Sequence, residues 1–136
     1  MKIIKCIKQR KIFLSIIAIL LLLSCNKNED ECVFVEDAKI MNIENPLVGI
    51  INKPIIIPVT AEIRNGCGSF FEFNSNTNLN QITVKTRIKY EGCECSSEVI
   101  QSTNLFEFTP TKSGIYNFIF INGNTLDNTV ITVMVE

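Results

Sequence analysis

Six cysteines and no histidine set the chemistry open to this 136-residue chain. Without His there is no imidazole to act as general base for a Ser or Cys nucleophile, and the commonest metal ligand is missing. Carboxylates remain. Glu62, Glu72, Glu91, Glu94, Glu98 and Glu107 could in principle supply the acid and base of glycosidase chemistry, but no spacing selects two of them. Each also fits an outward strand face or a turn, so no enzyme and no cofactor are expected. Cys32, Cys67, Cys93 and Cys95 could bind zinc as four thiolates. Structural zinc, however, usually takes its ligands as Cys-x₂₋₄-Cys pairs, and here there are one Cys-x-Cys and two singletons. Asn122, Asn124, Asp127 and Asn128 offer oxygens to Ca²⁺ without the ordered ligand ladder such a site needs. No metal is expected.

The N-terminal segment says where these cysteines work. Lys2, Lys5, Lys8, Arg10 and Lys11 precede an apolar run over residues 12–23. Twelve residues make a helix only about 18 Å long, too short for a hydrocarbon core of about 30 Å, so the segment reads as a signal peptide. Leu22-Leu23-Ser24-Cys25 resembles a bacterial lipobox. The resemblance implies cleavage after Ser24 and acylation of Cys25, palmitate included, making that residue the mature N-terminus and membrane anchor. Each buried methylene contributes about 0.8 kcal/mol, and several chains together hold a protein on a bilayer. Glu29-Asp30-Glu31 resembles the export signal of surface lipoproteins of Bacteroidetes-type Gram-negative bacteria. That likeness implies an outer-membrane protein facing the cell exterior. The expected division is a signal peptide at 1–24, lipidated Cys and acidic linker at 25–31, and one folded domain at 32–136.

Removing residues 1–24 from 136 leaves 112, the size of one domain. The signal carries five of the thirteen Lys and Arg and none of the fourteen Asp and Glu, so the mature chain has eight against fourteen, a net of −6. No basic stripe remains to displace counterions, which argues against nucleic acid as a partner. In an exported chain, four remaining cysteines read as two disulfides.

Past the linker the pattern has period two. Residues 37–43 read as a first strand, with a turn at Pro46 and Gly49. Over 54–64, Ile55, Ile57, Val59, Ala61 and Ile63 share one face, and Pro58 suggests an edge or a bulge. Over 82–90, Ile82, Val84, Ile88 and Tyr90 oppose Thr83, Lys85, Arg87 and Lys89, a half-buried strand. Residues 69–73 read as a short aromatic strand and 74–81 as a polar loop. Residues 99–102 and 105–109 read as one interrupted strand or two. Residues 115–121 and 129–135 form a hairpin across Asn122-Gly123. About seven strands make an all-β sandwich.

Phe106-x-Phe-x-Pro110-x-x-x-Gly114-x-Tyr116-x-Phe118 resembles the late strands of bacterial immunoglobulin-like domains. Asn65-Gly66-Cys67-Gly68 and Tyr90-Glu91-Gly92-Cys93-x-Cys95 resemble segments of small Bacteroidetes lipoproteins. The resemblance implies a single immunoglobulin-like antiparallel β-sandwich. There is no Trp, so the buried Trp and inter-sheet disulfide of an antibody core are not expected.

Two surfaces are candidates for binding. Lys85, Arg87 and Lys89 form a basic row suited to an acidic glycan or partner, against the plainer reading of a solvated face that discourages edge pairing. Phe70 and Phe71 point to opposite faces of one strand, so one of them becomes an exposed anchor. The expected function is a membrane-anchored, non-catalytic binding module for an envelope protein or a glycan. The alternative is a structural or accessory subunit of an envelope complex. Alternating strand directions bring all four cysteines to one end of the sandwich. A Cys93–Cys95 bridge would close a very short ring, so Cys67 pairs with one of the two and Cys32 with the other. Cys67–Cys93 with Cys32–Cys95 is the first choice, and the exchanged pairing the second.

Overall fold

The computed structural model describes residues 32–123 and 127–136. The expected signal peptide at 1–24, Cys25 with its expected lipid, and the expected acidic linker lie outside the described residues, as does Asn124. Among the described residues there are nine strands and no helix, hence none long and apolar enough to cross a membrane. In chain order they are β1 (Val33–Asp37), β2 (Ile40–Ile43), β3 (Val48–Gly49), β4 (Ile55–Ile63), β5 (Gly68–Asn78), β6 (Gln81–Glu91), β7 (Ile100–Phe108), β8 (Gly114–Ile121) and β9 (Thr129–Val135).

Two sheets face each other, forming the expected β-sandwich. One has three strands in the order β2-β4-β7. The other has six and is organised around β6. β5 lies along one side of β6 for nearly its whole length. On the other side two strands meet end to end: β1 pairs antiparallel with residues 87–91, and β8 pairs parallel with residues 81–85. β9 and the two-residue β3 continue outward from β8. The architecture therefore has nine strands instead of about seven, and two pairs, β6/β8 and β3/β9, run parallel where an all-antiparallel sandwich was expected.

Alternation builds the core. Ile82, Val84, Thr86, Ile88 and Tyr90 of β6 are all buried, and so are Ile55, Ile57, Val59, Ala61 and Ile63 of β4. Tyr116, Phe118 and Phe120 of β8 join them, with Ile131, Val133 and Val135 of β9. Phe106 of β7 is the aromatic hub, meeting Phe73, Phe118 and Phe120 edge to face at centroid distances of 5.5, 6.2 and 5.9 Å. Burying each such side chain contributes about 1.5–3 kcal/mol.

Three local expectations change. Residues 37–43 are not one strand. The chain leaves β1 at Asp37 and crosses to the other sheet as β2, with Ala38 N–H donating to Thr86 O and Ile40 N–H to Asn122 Oδ1, both at 2.8 Å. Pro58 sits in the central strand of its sheet, not at an edge. It is tolerated because the β2 ladder ends at Ile43 opposite Val59, where the missing N–H costs one terminal bond at most. Finally, residues 74–78 are strand, not loop: β5 runs on to Asn78 and turns through Leu79 and Asn80 into β6.

Candidate functional site

The outer face of the six-stranded sheet holds Phe71, Lys85, Arg87 and Lys89 of the expected binding surface, and a β-bulge sorts them from Phe70. Phe70 pairs with Ile88 and Glu72 with Arg87, leaving Phe71 as the extra residue. A bulge adds one residue to one strand and re-aims its side chains. Phe70 thereby turns inward and meets the Phe73 ring at 4.9 Å, which removes it from the expected binding surface. Phe71 is 47% exposed, and its ring centroid lies 5.9 Å from Arg87 Cζ, placing it on the outer face. One of the two phenylalanines is indeed presented to solvent.

The basic row is on that same face, but its charges are balanced. Lys85 Nζ meets Asp37 Oδ2 at 2.7 Å, Arg87 Nη1 meets Glu72 Oε1 at 2.7 Å, and Lys89 Nζ meets Glu91 Oε1 at 2.5 Å. Exposed pairs of this kind contribute little stability, about 0–1 kcal/mol each. Their effect here is to leave a face without net excess charge, which weakens the acidic-ligand reading of the row.

A second feature lies where the chain crosses from β1 to β2. Glu36, Asp37, Lys39, Glu62, Arg64, Asn122 and Gly123 line a shallow cleft of about 150 Å³. Arg64 pairs with Glu36, and Lys39 with Glu62 at 3.1 Å. Hydrogen bonding to Tyr90, the largest influence, raises the Arg64 guanidinium above its ordinary range; desolvation by burial opposes it, and Glu36 adds to the rise. Sequence reasoning missed this cluster. Its partners are 23 and 28 residues apart, and no local pattern links them. A more apolar cleft of about 220 Å³ opens between Pro46, Val48, Ile50 and Ile56 at the other end of the molecule.

The four cysteines gather at the end of β6 that carries Glu91, as counting strand directions predicts. Cys32 precedes β1, Cys67 precedes β5, and Cys93 and Cys95 follow β6. The bonds are Cys32–Cys93 and Cys67–Cys95, with Cα separations of 5.0 and 5.4 Å. This corrects the first-choice pairing in favour of the second. β1 and β5 flank β6 on opposite sides, and Cys93, which leaves β6 first, reaches the β1 side. Both bonds consume all four thiols, which sets zinc ligation aside. Gly92, at φ 132°, makes the passage between them: a Cβ there would stand 3.0 Å from Cys67 Sγ.

Of the carboxylates weighed for catalysis, Glu62, Glu72 and Glu91 are engaged by Lys39, Arg87 and Lys89. Glu94 and Glu98 follow β6 near the disulfides, and Glu107 is exposed on β7. Asn122, considered for Ca²⁺, accepts the Ile40 N–H instead. No protein-family model matches the chain, and no curated protein or solved structure matches it.

Proposed function

We propose that this chain is a lipid-anchored binding module of the outer membrane, held through Cys25, exposed at the cell surface and non-catalytic. Its β-sandwich is read as immunoglobulin-like, on the strength of the Phe106–Phe118 motif, which spans β7, the Pro110 turn and β8. The observation that carries the reading is Phe71. A β-bulge in an otherwise regular hairpin leaves this aromatic 47% exposed beside Arg87. Bulges re-aim side chains, and exposed aromatics are enriched where proteins bind. The cations around Phe71 are balanced by carboxylates.

Two measurements test the proposal. Intact mass of the membrane-extracted protein is expected to show loss of residues 1–24 and a lipid adduct on Cys25, and Cys25→Ala is expected to release the domain from the membrane. Affinity capture of the lipidated protein from its own envelope is expected to return material that Phe71→Ala no longer retains. Capture of an envelope complex that is indifferent to Phe71 would point instead to an accessory subunit.

A further inference from the structure

We infer that the outer face of β5, β6 and β8 is a binding site for an uncharged, hydroxyl-rich glycan, with Phe71 as its stacking platform and a ladder of side-chain amides as its hydrogen-bonding surface. The inference rests on the binding-module reading and names its ligand class.

The first observation is a broken local rule. Asn is among the residues least suited to strands, yet β5 ends as Asn74-Ser75-Asn76-Thr77-Asn78, fully paired to β6. Its period-two asparagines all reach one face, because Asn74, Asn76 and Asn78 lie opposite Lys85, Thr83 and Gln81, which alternate with the buried residues of β6. Local rules are most often broken at functional sites.

The second observation is that the amides continue across the sheet. Asn78 pairs with Gln81, Gln81 with Asn117 of β8, and Asn117 with Thr132 of β9. At about 4.8 Å between strands this is a row of polar groups about 14 Å long. The asparagine column runs at right angles to it, and with Phe71 it covers about 20 Å. All the ladder side chains are exposed. Among the described residues, no side-chain hydrogen bond holds Asn74, Asn76 or Asn78, whereas Asn117 Oδ1 accepts from Thr132 Oγ1 at 2.9 Å.

The chemistry selects the ligand. An amide presents donors and an acceptor together, so it can meet a hydroxyl in either role, and a glycan is a dense array of hydroxyls. An aromatic face beside such amides suits the C–H face of a sugar ring. Phosphate or uronate ligands would call for unpaired cations, and here Lys85 and Arg87 are already matched by Asp37 and Glu72 at 2.7 Å. A protein partner would more usually meet an apolar core, and the exposed Ile115, Val130 and Met134 of this face lie on β8 and β9, two and three strands away from the asparagine column of β5. The ladder also occupies the half of β6 away from the disulfides, while the chain enters the sandwich at Cys32, at the disulfide end. An anchored molecule would then hold this face clear of its point of entry.

The test uses the full chain in a sugar-free detergent, titrated calorimetrically with neutral polysaccharides (β-glucan, α-mannan, dextran, xylan) and with polygalacturonate as the acidic contrast. Binding to at least one neutral polymer is expected. The triple variant N74A/N76A/N78A and, separately, F71A are each expected to weaken it at least tenfold. Thermal unfolding of each variant verifies the fold, and E107A, on the other sheet, is expected to bind like the parent. Binding of polygalacturonate alone, or neutral binding that survives both variants, overturns the inference. So does an absence of neutral binding. If envelope capture still depends on Phe71 while every neutral polymer fails, the ligand class is wrong and the binding-module reading stands. If capture is also indifferent to Phe71, both fall.

Discussion

The Tyr90 hydroxyl accepts a hydrogen bond from the backbone N–H of Arg64 at 3.1 Å, joining the two sheets through one side chain. Tyr90 is 1% exposed on the inner face of β6, Arg64 follows directly on β4, and the Phe34 ring stacks on Tyr90 at 4.8 Å. Tyr90→Phe keeps the ring packing and deletes the acceptor, leaving a part-buried N–H without its partner. A stranded donor of this kind costs about 1–3 kcal/mol. Urea denaturation of Tyr90→Phe is expected to show a loss of about 1–2 kcal/mol with an unchanged m-value, so that the midpoint alone moves.

Thr86 gives the opposite expectation. It lies mid-strand on the inner face of β6, 1% exposed, and its Oγ1 finds no hydrogen-bond partner. Its carbonyl is in use, accepting from Ala38 N–H at 2.8 Å, but a backbone bond does not need the hydroxyl. Val has nearly the same shape and a higher strand preference, and it removes the unpaired polar atom. Thr86→Val is therefore expected to raise stability by about 1 kcal/mol, read as an upward shift in thermal midpoint. A drop would mean that a buried water serves this hydroxyl.

How much of this was legible in the chain depends on the range of the interactions. β4 and β6 announce themselves because each buries every second residue, a purely local signal. The end of β1 does not. Nothing in the alternation around Ala38 and Lys39 marks a change of sheet, which is decided by bonds to Thr86 and Asn122, 48 and 82 residues away. The inward turn of Phe70 was equally hidden, since a single bulge residue reverses all alternation beyond it and leaves no compositional mark. The parallel pairing of β6 with β8 depends on how β7 crosses between sheets. The amide ladder had a visible signal, Asn-x-Asn-x-Asn at period two, but the composition of that segment speaks for a loop.

The turn that ends the ladder carries strain. Leu79 has φ 53° and is 89% exposed, so a branched apolar side chain occupies a left-handed conformation and packs against little. That region costs an ordinary L-residue about 1–2 kcal/mol and is adopted readily by Asn. Leu79→Asn is expected to stabilise the domain by about 0.5–1 kcal/mol and to reduce any self-association driven by the exposed leucine. Chemical denaturation checks the first effect and analytical ultracentrifugation the second. The site lies beyond the Asn78–Gln81 pair, so glycan titrations of this variant should match those of the parent.

The disulfides are the last test, and the two bonds are predicted to differ in weight. Cys67–Cys95 closes a loop of 28 residues and Cys32–Cys93 one of 61. On the chain-entropy model these correspond to about 3.6 and about 4.3 kcal/mol. Their structural roles differ as well. Cys32–Cys93 ties β1 to the end of β6, and β1 is paired to β6 over only five residues, whereas β5 is paired to it over ten. Cys32→Ser with Cys93→Ser is therefore expected to destabilise the domain more than Cys67→Ser with Cys95→Ser. It is also expected to leave the amides of Val33–Asp37 exchanging with solvent ahead of global unfolding. Hydrogen exchange resolved by segment checks that order, and non-reducing peptide mapping checks the connectivity. A Cys67–Cys93 peptide, or equal protection of β1 in both double variants, would contradict the pairing on which the argument stands.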